Sequence, residues 1–235
     1  MRKLLLAGIF VLAVPAYGAA SPCVPDLLSA YIALGSGGCE IGVGGATIAD
    51  FYSAASLGPG ALKVDDDDIL ITPASLASGP ELVFSFIPPE GTAEPGENKG
   101  IQIVYSIAGL SFESASKSMI GSVTDSGAAT AVEDLCLGGA FLAPLPGDSV
   151  DPTTCSGVPE FLIADPSGGD FKTFASSFFD IFVSLDIQFD VPFEGSAQVE
   201  SVTNRFNAVP EPGAFLLFGS GLIGAWFRYR RSLSS

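Results

Sequence analysis

Residues 179–189 read Phe-Asp-Ile-Phe-Val-Ser-Leu-Asp-Ile-Gln-Phe, and the stretch alternates between apolar and polar side chains. One face would carry only apolar groups, those of Phe179, Ile181, Val183, Leu185, Ile187 and Phe189. The other face would carry Asp180, Ser184, Asp186 and Gln188, with Phe182 as the exception. Because successive side chains of a strand point to opposite faces, this period of two predicts a half-buried β-strand.

The same signal recurs along residues 21–208. Ile101, Ile103, Tyr105 and Ile107 alternate with polar residues such as Gln102 and Ser106. Further strands are predicted at Ile69–Thr72, Leu82–Ile87, Met119–Thr124, Ala131–Leu137 and Gln198–Phe206. Clusters of Gly, Pro, Asp and Ser separate them, and only the two chain termini have a helical character. Many short strands divided by turn signals predict an all-β domain, an antiparallel β-sandwich or a jelly-roll-like fold.

The chain has four cysteines, all within residues 21–208, and this even number indicates disulfides if the domain is exported. Four cysteines allow three connectivities. The sequence-local pairing, Cys23–Cys39 with Cys136–Cys155, is favoured over the other two, which remain open. Each bond would close a loop of about 15 to 20 residues, worth on the order of 3 kcal/mol.

The central part of the chain is strongly acidic. Residues 21–209 contain 25 acidic and 5 basic side chains, a net charge of −20, against −16 for the whole chain. A field of this sign repels nucleic acids and anionic membranes, so a nucleic-acid partner is excluded.

The chain contains no histidine. A Ser-His-Asp or Cys-His site cannot be built, and the usual imidazole ligands of zinc are missing. A pair of carboxylates could still hydrolyse a glycoside, but so many acidic residues make such a pair uninformative. We therefore expect no enzymatic activity, no catalytic residues and no cofactor, and a secreted hydrolase remains a distant alternative.

Both chain ends have the character of export signals. Arg2 and Lys3 precede an apolar core at residues 4–14, and a cleavage region rich in small residues follows at residues 15–20. This is the pattern of a signal peptide at residues 1–20. Cleavage is expected after Ala20, with Gly18 as the alternative. At the other end, the apolar run 213–227 is followed by Arg228, Arg230 and Arg231. This order predicts a single transmembrane helix with its basic end on the cytoplasmic side.

Pro210, Glu211 and Pro212 stand immediately before that apolar run. The succession of this motif, a short glycine-interrupted apolar helix and an arginine cluster resembles the PEP-CTERM sorting signal of bacteria, here residues 209–235. The resemblance implies recognition by an exosortase, a membrane transpeptidase, after export by the Sec machinery and cleavage by signal peptidase. It also implies transient anchoring in the inner membrane, followed by delivery to the cell surface or to extracellular polysaccharide. A single-pass protein that is never processed remains an alternative.

Two clusters within residues 21–208 invite a binding function. Asp65, Asp66, Asp67 and Asp68 offer oxygen ligands of the kind that Ca²⁺ prefers, although a solvated loop is favoured because no calcium-binding loop pattern accompanies them. Aromatic side chains are dense at Phe171, Phe174, Phe178, Phe179 and Phe182, where core packing is favoured over a sugar-binding platform.

The sequence thus predicts an exported structural or adhesive protein of the cell surface or extracellular matrix. A Ca²⁺-dependent carbohydrate-binding module is the alternative.

Overall fold

A computed structural model describes residues 21–42, 45–57, 60–142 and 149–209. The described chain is mostly antiparallel β-strand, which confirms the all-β class. Its elements are β1 (Asp26–Leu27), α1 (Leu28–Leu34), β2 (Cys39–Ile41), β3 (Ala46–Ala55), β4 (Leu62–Lys63), β5 (Ile69–Leu76), β6 (Gly79–Phe86), β7 (Thr92–Ala93), β8 (Glu97–Asp125), β9 (Ala128–Leu137), β10 (Val158–Ala164), β11 (Asp170–Val191) and β12 (Gly195–Ala208).

The strands form one 12-stranded hydrogen-bonded network in the order β1-β5-β6-β12-β8-β11-β9-β10, with β3 added beside β8. Strand β8 is 29 residues long and takes part in two regions of this network. Its first part, up to Ala108, lies between β3 and the second half of β11. Its last part, from Phe112, lies beside β12. The fold therefore resembles a sandwich whose two layers share their longest strands, whereas a β-sandwich has two separate sheets.

The two layers pack face to face around an aromatic core. Phe86 of β6 contacts Phe189 of β11, with ring centroids 5.8 Å apart. Phe84 of β6 lies 5.9 Å from the ring of Tyr105 on β8, and Phe51 of β3 stacks on the same tyrosine. These rings are the inward residues of alternating strands, so the period of two in the sequence is what builds the core.

A bend between the layers requires a glycine. Gly109 has φ of +96°, a conformation that residues with a Cβ rarely adopt, and it lies between the two regions of β8. Strand β11 bends in the same part of the fold, with register shifts on either side of Phe178. These shifts correct one prediction: Ile181 to Phe189 alternate inward as expected, but Phe179 is 58 % exposed. A bulge changes the face of the sheet to which the neighbouring side chains point, and a strictly alternating pattern does not predict this change.

The face of β11 predicted to meet solvent is partly covered. Ser184 is fully buried and Asp186 almost so. Val150, in the segment between β9 and β10, shares the side chain of Gln102 with Ser184, and the amide of Leu57 donates to the carboxylate of Asp186. Gln102 of β8 donates from Nε2 to the Ser184 hydroxyl and to the carbonyl of Val150, and it accepts from the amide of Val150 at 2.6 Å. The disulfide between Cys136 and Cys155 closes this covering segment, with a sequence separation of 19.

The N-terminal part of the domain is fixed by the second disulfide, Cys23–Cys39. Both bonds follow the sequence-local pairing. Between these cysteines lies α1, a seven-residue helix that the sequence analysis missed. Its Tyr31 packs edge-to-face on Phe51 of β3 and donates to the carbonyl of Val24. Tertiary packing makes so short a helix stable, since isolated helices of this length are marginal in water.

Candidate functional site

Strand β12 leads directly into the predicted sorting signal. The end of β12 is held by two hydrogen bonds. The amide of its last residue, Ala208, donates to the carbonyl of Ser78 at 2.7 Å, and the amide of the next residue, Val209, donates to the carbonyl of Ser111 at 2.7 Å. Pro210 is the next residue. The body of the domain therefore ends where the predicted recognition motif begins, with no spacer of its own.

The predicted signal peptide at residues 1–20 lies outside the described residues. So do the motif Pro210–Pro212, the predicted transmembrane helix at 213–227 and the three arginines near the end of the chain. In the described ranges, no helix combines the length and the apolar character needed to cross a membrane.

The four consecutive aspartates are engaged locally. Asp65 caps a 3₁₀ turn formed by Asp66–Asp68, its carboxylate accepting from the amide of Asp67. Asp66 forms an ion pair with Lys63 at 3.1 Å and accepts from the hydroxyl of Ser53 at 2.6 Å. Burial, followed by the neighbouring carboxylates Glu90, Asp65 and Asp67, raises the pKa of Asp68. In the described parts of the chain, no group of three or more His, Cys, Asp or Glu side chains could hold a metal ion.

The aromatic cluster of β11 divides between the core and the surface. Phe174 is buried and packs edge-to-face on the half-buried Phe178. Phe171 and Phe179 are each 58 % exposed, so the prediction that the cluster belongs to the core is wrong for these two residues. The register shifts around Phe178 separate the two groups, because they reverse which side chains point inward.

A concave surface of about 330 Å³ is bordered by Phe86, Pro88, Gly91, Thr92, Gln198, Val199 and Glu200. It has one carboxylate and one aromatic ring on its border. A pair of carboxylates facing each other across a cleft, as glycoside hydrolysis requires, is therefore not formed by its described border.

A cluster of buried polar side chains lies instead inside the core. Lys117 of β8 and Glu133 of β9 are completely buried, and the Lys117 ammonium lies 3.7 Å from Glu133 Oε2. Asn204 of β12 is the direct partner of Lys117 in the antiparallel register, and its Nδ2 donates to the Tyr105 hydroxyl at 2.9 Å. Four side chains from three neighbouring or facing strands thus meet in one apolar region. We refer to Lys117, Glu133, Asn204 and Tyr105 as the core polar cluster.

Burial shifts the titration of this cluster towards neutral forms. It lowers the pKa of Lys117 to about 8, against the opposing effect of the Glu133 carboxylate. It raises the pKa of Glu133 to about 7, again opposed by its partner Lys117. Burial, helped by the Glu133 charge, raises the pKa of Tyr105 well above its ordinary value. Charged groups in an apolar interior lose their hydration, so each side chain is driven towards its uncharged form.

The sequence analysis missed the core polar cluster, although a signal was present. Lys117 lies between Ala115 and Met119 on the inward positions of its strand, and Glu133 lies between Ala131 and Leu135 in the same way. Asn204 follows Val202 on β12 at the same spacing. A polar residue at an inward position of an alternating strand is the pattern that would have found all three.

Comparison with protein-family models finds one match, to the PEP-CTERM protein-sorting motif at residues 208–231. Comparison with curated proteins and with solved structures finds no match. The matched motif begins on the last residue of β12 and extends through the Pro-Glu-Pro element, the predicted helix and all three arginines. It is the recognition signal for an exosortase, and it marks an exported protein with a membrane-anchored C-terminal signal. The chain is therefore a PEP-CTERM domain-containing protein.

Proposed function

We propose that this chain is an exported structural or adhesive protein of the cell surface or extracellular matrix. The observation that carries the proposal is the position of the sorting motif, which follows immediately on the last strand of a β-domain closed by two disulfides. Exosortase processing would leave this domain as the mature product. Transfer to the surface would then leave the domain attached through the C-terminal end of β12.

The chemistry of the domain supports a non-catalytic role. The chain has no histidine, its aspartate cluster caps a turn, and its buried carboxylate and ammonium lie inside the core, where a dissolved substrate cannot reach them. The net charge of −20 over residues 21–209 keeps such a domain soluble and repels other anionic polymers. A neutral polysaccharide, or contacts bridged by cations, suits this charge best.

The proposal is tested by the mass and location of the mature protein in its native host. We expect a secreted or surface-attached species that lacks the signal peptide and everything beyond the Pro210–Pro212 region. Replacing Pro210, Glu211 and Pro212 together by alanine should leave a membrane-bound precursor that retains its C-terminal residues.

Glu200→Ala is the matched control, because Glu200 is an exposed carboxylate on β12 and lies outside the motif. This variant should be processed like the unaltered protein. Equal processing of the control and the motif variant would show that the Pro-Glu-Pro element is not read, and the matrix role would lose its main support.

A calcium-dependent carbohydrate-binding module is the alternative that the same material can test. A ligand that binds only the folded state raises the unfolding temperature by an amount that grows with the logarithm of its concentration above the dissociation constant. A calcium-dependent rise that disappears in an Asp66→Asn variant would favour the binding module. An unchanged unfolding temperature favours the structural role.

A further inference from the structure

The core polar cluster places an amine, a carboxamide and a carboxyl group together in an apolar interior. Lys117 and Asn204 are cross-strand partners on β8 and β12, both buried and so on the same inward face. Directly opposed side chains of an antiparallel pair have Cβ atoms about 5 Å apart. Glu133 reaches the same point from β9, with 3.7 Å between its Oε2 and the Lys117 ammonium.

These groups lack the partners that buried polar atoms normally have. In the described structure, no hydrogen bond is formed by Lys117 Nζ, by either carboxylate oxygen of Glu133, or by Asn204 Oδ1. The neighbouring inward residues are apolar: Ala115, Met119, Ala131, Leu135, Val202 and Phe206. Buried polar atoms without hydrogen bonds are rare in folded proteins, and several in one place require an explanation.

We propose that Lys117 and Asn204 become joined by an intramolecular isopeptide bond, with Glu133 as the proton carrier. In this reaction the uncharged amine of Lys117 attacks Cγ of Asn204. An Nζ–Cγ bond forms and the Cγ–Nδ2 bond breaks. Nδ2 leaves as ammonia, taking up a proton that Glu133 has carried from the lysine. No oxidant, cofactor or second protein is needed, because one amide replaces another.

Each member of the core polar cluster has a defined role in this step. Burial favours the uncharged amine, which is the nucleophilic form, and the protonated carboxyl, which can donate to the unpaired Asn204 Oδ1 and polarise the carbonyl. The Tyr105 hydroxyl accepts from Asn204 Nδ2 at 2.9 Å and so fixes the orientation of the amide. The fold holds the amine and the amide as neighbours, which replaces a bimolecular encounter.

The bond would lie close to the C-terminal attachment point of a protein that is held by its C-terminus. Asn204 is six residues before Pro210, on the strand that leads into the sorting signal. A covalent link from β12 to β8 would carry tension from the anchored end into the longest strand of the core. This consequence depends on the proposed surface attachment, but formation of the bond does not.

The test is a tryptic digest and intact-mass measurement of the chain as produced in its native host. Trypsin cuts after lysine and arginine, and it would release residues 100–117, 118–172 and 173–205 as separate fragments from an unlinked chain. We expect instead that cleavage after Lys117 fails and that residues 100–172 remain bonded to residues 173–205. The protein should weigh about 17 Da less than its disulfide-bonded sequence, the mass of one ammonia.

Recovery of fragments 100–117 and 173–205 as separate, unmodified species would overturn the proposal. A loss of about 17 Da confined to fragment 173–205 would also overturn it, because that result indicates cyclisation of Asn204 on its own backbone. Since the digest is made on the unaltered protein, this decision does not depend on any variant folding correctly.

Variants then assign the role of the carboxyl group. Glu133→Gln should give a protein whose fragments separate fully, while Glu160→Gln should keep the linked fragment. Glu160 is the matched control because it is also paired with a lysine, Lys172 at 2.8 Å, but lies on β10 outside the core polar cluster. A linked fragment at unchanged yield in Glu133→Gln would remove Glu133 from the proposed mechanism.

Discussion

Removing the disulfide between Cys136 and Cys155 should release the segment that covers the outer face of β11. The bond closes a loop with a sequence separation of 19, for which the chain-entropy relation gives about 3 kcal/mol. Replacing both cysteines by alanine should therefore lower the free energy of unfolding by about 3 kcal/mol. Denaturant unfolding followed by far-ultraviolet circular dichroism measures this quantity.

A tyrosine reports whether the covering segment has moved. Tyr52 packs against the small apolar cluster that contains Val150 and Phe141 of that segment, and burial raises the pKa of Tyr52 to about 12. In the double alanine variant, this pKa should fall towards its ordinary value of 10.0. An absorbance titration made on a Tyr31→Phe background isolates the signal, because Tyr31 also has a pKa of about 12.

The other disulfide provides the matched control. Cys23–Cys39 closes a loop with a separation of 16, so its loss should also cost about 3 kcal/mol. The titration of Tyr52 should then remain unchanged, because neither Cys23 nor Cys39 belongs to the apolar cluster against which Tyr52 packs. The reasoning is refuted if loss of Cys136–Cys155 costs less than about 1 kcal/mol and leaves the Tyr52 pKa near 12.

Three further predictions test the core, the bend and the buried face. Phe189→Ala should cost about 3 to 5 kcal/mol in chemical denaturation, because the ring is fully buried between the layers, whereas the 79 % exposed Phe193 should tolerate the same change. Gly109→Ala should lower the free energy of unfolding by about 1 to 3 kcal/mol, because alanine is strained at φ of +96°. Gly168→Ala is the control, since an added Cβ there meets open space, and an equal loss of stability in both variants would contradict the role given to Gly109. Burial raises the pKa of Asp186 above 3.8 in the folded protein. The folded state therefore binds this proton more tightly than the unfolded chain does, and the free energy of unfolding falls as the pH rises above about 3.8. Asp186→Asn should remove this loss, seen as a gain in unfolding temperature that grows with pH, and a gain independent of pH would refute the assignment.

Alternation in the sequence predicted most of the strands but not how they share partners. The alternate apolar residues from Ile181 to Phe189 and from Ile101 to Ile107 face the core as predicted. Every second side chain of a strand points to the same face, so an alternating pattern buries its apolar members together. The exposed Phe179 was missed because a register shift in β11 cannot be read from the order of residues. The buried Ser184 was missed because the segment that covers it is distant in sequence.

The sequence by itself determined that the protein is exported and sorted by its C-terminus. Those signals are read by other proteins as linear segments, so residue order is sufficient for them. It also determined the all-β class, since periodicity is a local property of the chain. Only the tertiary structure brought Lys117, Glu133 and Asn204 together. They come from three strands up to 87 positions apart, and their meeting depends on register and layer packing, which no local pattern encodes.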